Sequence, residues 1–243
     1  MFTLFKKEIR AFLSSLIGYI AISVFLLLVG LFLWILPTPS NILNNGYAGL
    51  DSLFSLAPWV FLFLIPAITM RSFADEKKTG AIEFLLTKPL TDLQIIFAKY
   101  LASVTLALFS LLPTLIYYYT IYKLGNPVGN IDSGGTYGSY IGLFFLASAF
   151  TAMGIFASSL SDNQIVAFIL AVFFCFFGYI GFEYISMLDL FGKVDELILA
   201  IGINDHYISM SRGVIDTRDV VYYLSVIGIF ILLTKTTLES RKW

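Results

Sequence analysis

Residues 53–70, LFSLAPWVFLFLIPAITM, and 100–122, YLASVTLALFSLLPTLIYYYTIY, are strongly apolar, and between them lies RSFADEKKTGAIEFLLTKPLTDLQIIFAK, residues 71–99. Each apolar run can cross a bilayer, which takes about 20 such residues with roughly 17–25 tolerated. The stretch between them is the only long charged and amphipathic segment flanked in this way. A chain that leaves hydrocarbon, makes a polar excursion and returns is organised by the membrane. Outward from this core, further runs at 14–36, 138–160, 164–185 and 220–238 bring the expected spans to six.

Composition leads to the same class. With 58% hydrophobic residues, 17% aromatics, 13% charged residues and 24 phenylalanines in 243, the chain carries more apolar surface than a soluble core of this size can bury. Hydrocarbon requires backbone polar groups to pair within helices or a closed barrel. Uninterrupted runs select helices, because barrel strands alternate polar and apolar over about ten residues. The expected fold is an all-α integral membrane protein, residues 1–243 forming a single transmembrane domain. The first span is too long for a leader's apolar region and lacks a small-residue cleavage pattern, so it is expected to be retained. Cys175, alone in the fifth run, is expected to be a packing residue without redox or metal chemistry.

Charge gives sidedness. Six spans put both termini on one side, where Lys6, Lys7, Arg10, Arg71, Lys77, Lys78, Lys88, Lys99, Lys235, Arg241 and Lys242 also fall. Only Lys123, Lys193, Arg212 and Arg218 fall opposite. The positive-inside rule therefore places both termini and the segment 71–99 in the cytoplasm, with external connections around 37–52, 123–137 and 186–219. The net charge of −1 conceals this asymmetry.

Local patterns refine the plan. Phe2, Phe5, Ile9, Phe12 and Leu16 recur at helical spacing opposite Lys6, Lys7 and Arg10; this segment either lies in the interface as an amphipathic helix or extends the first span. Pro58, Pro66 and Pro113 favour bends, as hinges or as ordinary membrane-helix prolines. Ala147, Thr151, Gly154 and Ser158 form a small-residue stripe suited to close helix packing. Thr91–Gln94 and Ser161–Gln164 both fit the capping box and predict the starts of the third and fifth spans. Between Met70 and the Thr91 cap, Asp75–Gly80 is polar. Ala81–Pro89 then reads as a short helix with Ile82, Leu85 and Leu86 on one side, stopped by Pro89. So short a helix is marginal in water and needs a surface to rest on.

The pattern Glu76-x3-Gly80-x2-Glu83-x-Leu85-x3-Pro89, followed by Lys99-Tyr100 at the head of the third span, resembles the permease subunits of ABC-2 type ABC transporters. Ala81 departs from it, since many members carry Thr after the glycine. The last external loop, with His206-Tyr207, Arg212-Gly213-Val214-Ile215-Asp216 and Arg218-Asp219, is most similar to the gliding-motility-associated branch. The resemblance implies a permease of the bacterial inner membrane, an exporter serving gliding motility or protein secretion. ATP and Mg would sit on a separate ATPase subunit, and a second permease half, another membrane subunit or a second copy, would complete the pathway. It makes 79–89 the coupling helix, with Glu76, Thr79, Gly80, Ile82, Glu83, Phe84, Leu85, Leu86, Lys88 and Pro89 at the ATPase. His206, Tyr207, Arg212 and Asp216 become candidates for an external gate. Without the resemblance, Glu83 reads as an ordinary solvated charge.

Other classes have less support. No G-x-x-x-x-G-K-[ST] occurs, so the chain holds no phosphate-cradling loop of that kind. Catalytic, cofactor and metal residues are expected to be absent: the one histidine, His206, lies in an external loop without a second ligand at metal spacing. An ion-coupled carrier usually needs an ionisable residue deep in the membrane, and the nearest, Glu183, falls at the outer end of the fifth run. The remaining alternatives are a mechanical or assembly subunit acting on external proteins and an ion-independent secondary transporter; nothing points to nucleic acid. The external segment 186–219 is long for a connection. It predicts a short helix near 194–202, a candidate re-entrant segment, that caps the external end of the pathway.

Overall fold

The computed structural model describes residues 1–86, 90–189 and 192–240, with all side chains in them except those of residues 17, 84–86 and 193. No strand occurs among the described residues. Six helical rods are long and apolar enough to cross a membrane: Gly18–Ile35, Asp51–Lys78, Asp92–Leu124, Ser133–Leu160, Gln164–Ser186 and Thr217–Glu239. The chain is thus a multi-pass, all-α membrane protein. The six expected spans are all present; the second and third are lengthened where helix continues out of the apolar run, whereas the first is shorter than the run 14–36.

The N-terminal segment is a helix of its own. α1, Phe2–Leu13, ends at Ser14, and Ser15 caps α2, Leu16–Gly30, its hydroxyl accepting from Gly18 N. Of the two readings open from the sequence, the separate amphipathic helix is the observed one. A π turn, Leu31–Ile35, finishes the first span. The second is α3, Asp51–Thr69, continued by α4, Arg71–Lys78; the short α5, Ala81–Leu86, follows. The third comprises α6, Asp92–Leu111, and α7, Leu115–Leu124, joined by a tight turn at Leu112–Thr114 that holds Pro113. α8, Ser133–Leu160, is the fourth, and α9, Gln164–Phe176, leads through a π turn into α10, Phe182–Ser186, as the fifth. α11, Lys193–Ile201, and α12, Ile203–Ser211, precede the sixth span, α13, Thr217–Glu239.

Burial sorts the spans into a centre and a rim. In the most apolar window of α8, 78% of residues are buried, against 22%, 28% and 17% in the first, fifth and sixth spans, so α8 is the pillar and those three form the rim. Each rim helix buries one stripe at four-residue spacing: Phe25, Val29 and Leu33; Ala167, Ala171 and Cys175; Tyr223, Ile227 and Ile231. The α8 stripe Ala147, Thr151, Gly154 and Ser158 is buried as its composition suggests. At Gly154 the approach is closest, since a Cβ there would lie 2.9 Å from Thr69 Cβ and nearer still to its hydroxyl. Glycine suits this position because the Thr69 side chain of α3 occupies the space that a Cβ on α8 would take.

Prolines do not break the second span. Pro58 and Pro66 lie within the continuous α3. Because proline has no N–H, each leaves the carbonyl four residues earlier without its helical donor. For Pro58 that carbonyl is Phe54 O, and it is taken by the Tyr207 hydroxyl of α12 at 2.6 Å.

Candidate functional site

The basic end of the bundle gathers the polar groups of α1, α4, α6 and the α8–α9 turn. Where α3 gives way to α4, the N–H groups of Phe73 and Ala74 donate to Ser158 Oγ at 3.0 and 3.1 Å, and that hydroxyl donates to Met70 O at 2.9 Å. Ser158 thus satisfies backbone donors that the change of helix leaves open. Lys77 Nζ donates to Ser159 O. Gln164 completes the attachment, its amide donating to Asp75 Oδ1 while its oxygen accepts from Arg71 Nε at 3.2 Å. This arrangement corrects the expected capping box at Ser161–Gln164. Asn163 caps α9 instead, accepting from Ile165 N, because Gln164 is engaged with α4; Ser161 Oγ accepts only from Asn163 N. The box at Thr91–Gln94 forms in both directions.

Lys99 organises the other side of this end. It is 1% exposed, and its ammonium meets Glu8 Oε1 at 3.1 Å, Glu76 Oε1 at 3.0 Å and Ser72 O at 2.7 Å, over the Phe73 ring. A buried ammonium without partners would be prohibitively costly; here its three donors find two carboxylates and a carbonyl. Lys7 closes the group at 3.4 Å from Glu76 and 3.8 Å from Glu8. Glu76, a candidate ATPase contact from the sequence, faces inward onto this network with 12% of its side chain exposed. The signal that could have identified Lys99 was the spacing itself: it is the one cation inside an otherwise apolar helical pattern.

The remaining coupling candidates lie beyond α4. Thr79 ends that helix with its hydroxyl donating to Asp75 O at 2.8 Å, and Gly80 adopts φ +71°, the left-handed conformation that suits glycine, to turn the chain into α5. On α5, Ala81 and Glu83 are exposed and Ile82 is buried. Phe84, Leu85 and Leu86 belong to this helix by backbone; their side chains, with Lys88 and Pro89, lie outside what the structure describes. The polar run Asp75–Lys78, expected as part of a loop, is a helical extension of the second span.

At the opposite end the four candidate gate residues go to different places. Tyr207 is buried on the α3 side of α12, where burial raises its phenol pKa well above the ordinary value and keeps it a donor to Phe54 O. His206 faces α13: Nδ1 lies 2.7 Å from Asp219 Oδ1 and Nε2 3.0 Å from Ala200 O, and the ring stacks on Tyr222 at 3.8 Å. Arg212 and Asp216 are exposed, Asp216 capping α13 through Arg218 N. Arg212 also lines a cavity of about 200 Å³ with Tyr47, Asp51 and Asp132, where the Asp51 carboxylate raises the pKa of Tyr47. The expected helix near 194–202 is present as α11, whereas α12 was not foreseen; it packs on α8, and Ser139 Oγ donates to Ser211 O at 2.7 Å. Glu183 accepts from Asn204 at 2.7 Å and so holds α10 against α12. Among the described residues no group of three or more His, Cys, Asp or Glu could hold a metal ion.

Residues 36–202, more than two thirds of the chain, match a protein-family model described as ABC-2 family transporter protein. The match spans α3 through α11, including both the α4–α5 segment and the α8 pillar. No curated protein matches the sequence.

Proposed function

Because the chain belongs to the ABC-2 transporter family, we propose that it is the permease subunit of an ATP-driven exporter of the bacterial inner membrane, powered by a separate ATPase chain that binds ATP and Mg. The observation that carries this reading is α5: a short helix with Glu83 exposed, set at the basic end by the turn at Gly80, next to a helix that is bonded to the α8 pillar through Ser158. Residues 79–89 seat in the ATPase, Glu83 pairs with a cation there, and the apolar residues of α5 anchor beside it. Closure of the ATPase pair then moves α4 together with α3 and α8, because these share bonded contacts and not a flexible loop. A second permease half completes the route. An apolar groove of about 550 Å³ between α2, α3 and α9, lined by Val24, Phe63 and Phe168, supports a membrane partner on that face.

At the external end, α12 is the gate element, held by Tyr207 to α3 and by His206 to α13, with Arg212 and Asp216 at its solvent side. The external loop's similarity to the gliding-motility-associated branch supports export in service of motility or secretion. The test is purification of the full chain from its native membrane, with mass spectrometry of what accompanies it. An ATPase bearing a phosphate-binding loop is expected with the parent chain and is expected to be lost with Glu83→Arg. A Glu83→Arg chain that assembles and stimulates ATP hydrolysis normally would overturn the assignment of Glu83.

A further inference from the structure

The basic end contains a cavity of about 230 Å³ between α1, α3, α4 and α6, far roomier than a single bridging water needs at roughly 30 Å³ of liquid volume. Its walls are divided. Ile68, Leu106 and Ala102 form an apolar side, while the other side is charged. Of the charges, Lys7, Lys99, Glu8 and Glu76 neutralise one another within the network already described. Two remain. Arg71 and Asp75, opposite in sign, both line the cavity, and among the described residues neither forms an ion pair; each side chain bonds to Gln164.

Ser103 supplies an independent sign of a ligand. It is 5% exposed, lines the same cavity, and its hydroxyl has no hydrogen-bond partner among the described residues. Other helical hydroxyls here bond back to their own helix, as Thr105 does to Leu101 O and Ser148 to Phe144 O. The Ser103 oxygen is open to the cavity, and Glu76, which also lines it, has Oε2 buried without a partner, so a polar occupant would meet groups that the protein itself leaves unpaired.

We propose that this cavity binds a zwitterionic phospholipid with a primary ammonium, of the phosphatidylethanolamine class. Arg71 receives the phosphodiester, its planar donors matching phosphate oxygens. Asp75 receives the ammonium, and the Ser103 hydroxyl bonds an ester or phosphate oxygen. The acyl chains leave along Ile68, Leu106 and Phe12. A single residual charge of either sign would favour an ionic ligand; a residual pair favours a zwitterion. The amphipathic α1, with Phe2 exposed on it, places the cavity at headgroup depth, so a lipid and not a free solute is the occupant. The site stands whether or not α5 seats an ATPase.

The experiment is native mass spectrometry of the full chain, taken from vesicles of equimolar phosphatidylethanolamine, phosphatidylcholine and phosphatidylglycerol. Phosphatidylethanolamine is expected to be retained about tenfold over either of the others, since choline offers no N–H donor to Asp75 and phosphatidylglycerol leaves that carboxylate unpaired. Ser103→Leu, which fills the cavity, and Arg71→Gln, which removes the phosphate partner but keeps the amide-bonding character, should each reduce the preference to below twofold. Equal retention of the three lipids, preference for phosphatidylglycerol, or a preference unchanged in both variants would overturn the proposal. Free phosphoethanolamine in tenfold excess is expected to leave the lipid bound; displacement by it would assign the site to a soluble ligand and overturn the lipid assignment.

Discussion

Lys99→Met tests the central electrostatic claim, because it keeps most of the apolar stem and removes only the charge. The ammonium is 1% exposed, and its loss strands Glu76, 12% exposed, Glu8, 21% exposed, and Ser72 O. Removing one partner from a buried ion pair typically costs about 3–5 kcal/mol. Lys7, 3.4 Å from Glu76, remains to neutralise part of the stranded charge, so the low end, about 3 kcal/mol, is expected. At this chain length roughly 1 kcal/mol moves the midpoint by about 2–4 °C, which gives a fall of about 6–12 °C in thermal unfolding of the detergent-solubilised chain at fixed scan rate. Lys7→Met is the control. Its side chain is 62% exposed, and exposed pairs contribute at most about 1 kcal/mol, so its midpoint should fall by no more than about 4 °C. The penalty arises from uncompensated carboxylates, so Lys99→Met combined with Glu8→Gln and Glu76→Gln should recover at least half of the loss. A Lys99→Met midpoint within 2 °C of the parent, or a triple variant worse than the single, would refute the reasoning.

Tyr207→Phe leaves Phe54 O buried and unpaired, a loss of about 1–3 kcal/mol; in a Pro58→Ala background, where the helix supplies its own N–H to that carbonyl, the same change should be nearly neutral by a thermal double-mutant cycle. Gly154→Ala forces a methyl against Thr69 and should destabilise by about 1–3 kcal/mol, with Thr69→Ala, which removes the hydroxyl at the nearest approach but keeps Cβ, restoring part of the midpoint; absence of any rescue would mean the contact is not the tight point. His206→Phe preserves an aromatic ring for stacking on Tyr222 but strands Asp219, which is buried. Its unfolding midpoint should drop by several degrees, and adding Asp219→Asn should raise it again.

Span number, span order and the α1 amphipathic helix were legible because they follow from apolar run length and helical period, which the bilayer enforces residue by residue. The Thr91–Gln94 box was legible for a similar reason, since all of its atoms lie within one turn. The failure at Ser161–Gln164 shows the limit: the sequence spacing is identical, but Gln164 has a stronger use across the bundle, in the Arg71 and Asp75 side chains. Pairings between distant segments leave no such spacing. Nothing local to Lys99 announces Glu8, 91 positions away, or that Glu76 faces inward onto it. The Pro58–Tyr207 connection carried half a signal. A proline in a membrane helix declares an orphan carbonyl four residues earlier, but not which donor, 153 positions on, will fill it. His206 was visible as the only histidine, whereas its partner Asp219 looked like any acid near a helix start.

These long-range bonds have one property in common: most of them attach a neighbouring element to the second span or to its extension. Ser158 and Gln164 fasten α4 to the pillar and to α9, Lys99 ties α4 to α1 and α6, and Tyr207 fastens α3 to α12 at the far end. The rod Asp51–Lys78 therefore has bonded attachments at both of its ends. If α5 takes the ATPase stroke as proposed, that rod must carry it, because displacing α4 alone would break the Ser158 bonds and the Lys99 ion pairs together. Movement of α4 together with α3 and α8 keeps the Ser158 bonds, and it presses on α12 through Tyr207. Loss of the Tyr207 hydroxyl should then weaken the response of the external end to nucleotide while leaving ATPase binding at α5 intact, a separation that a flexible-loop coupling would not produce.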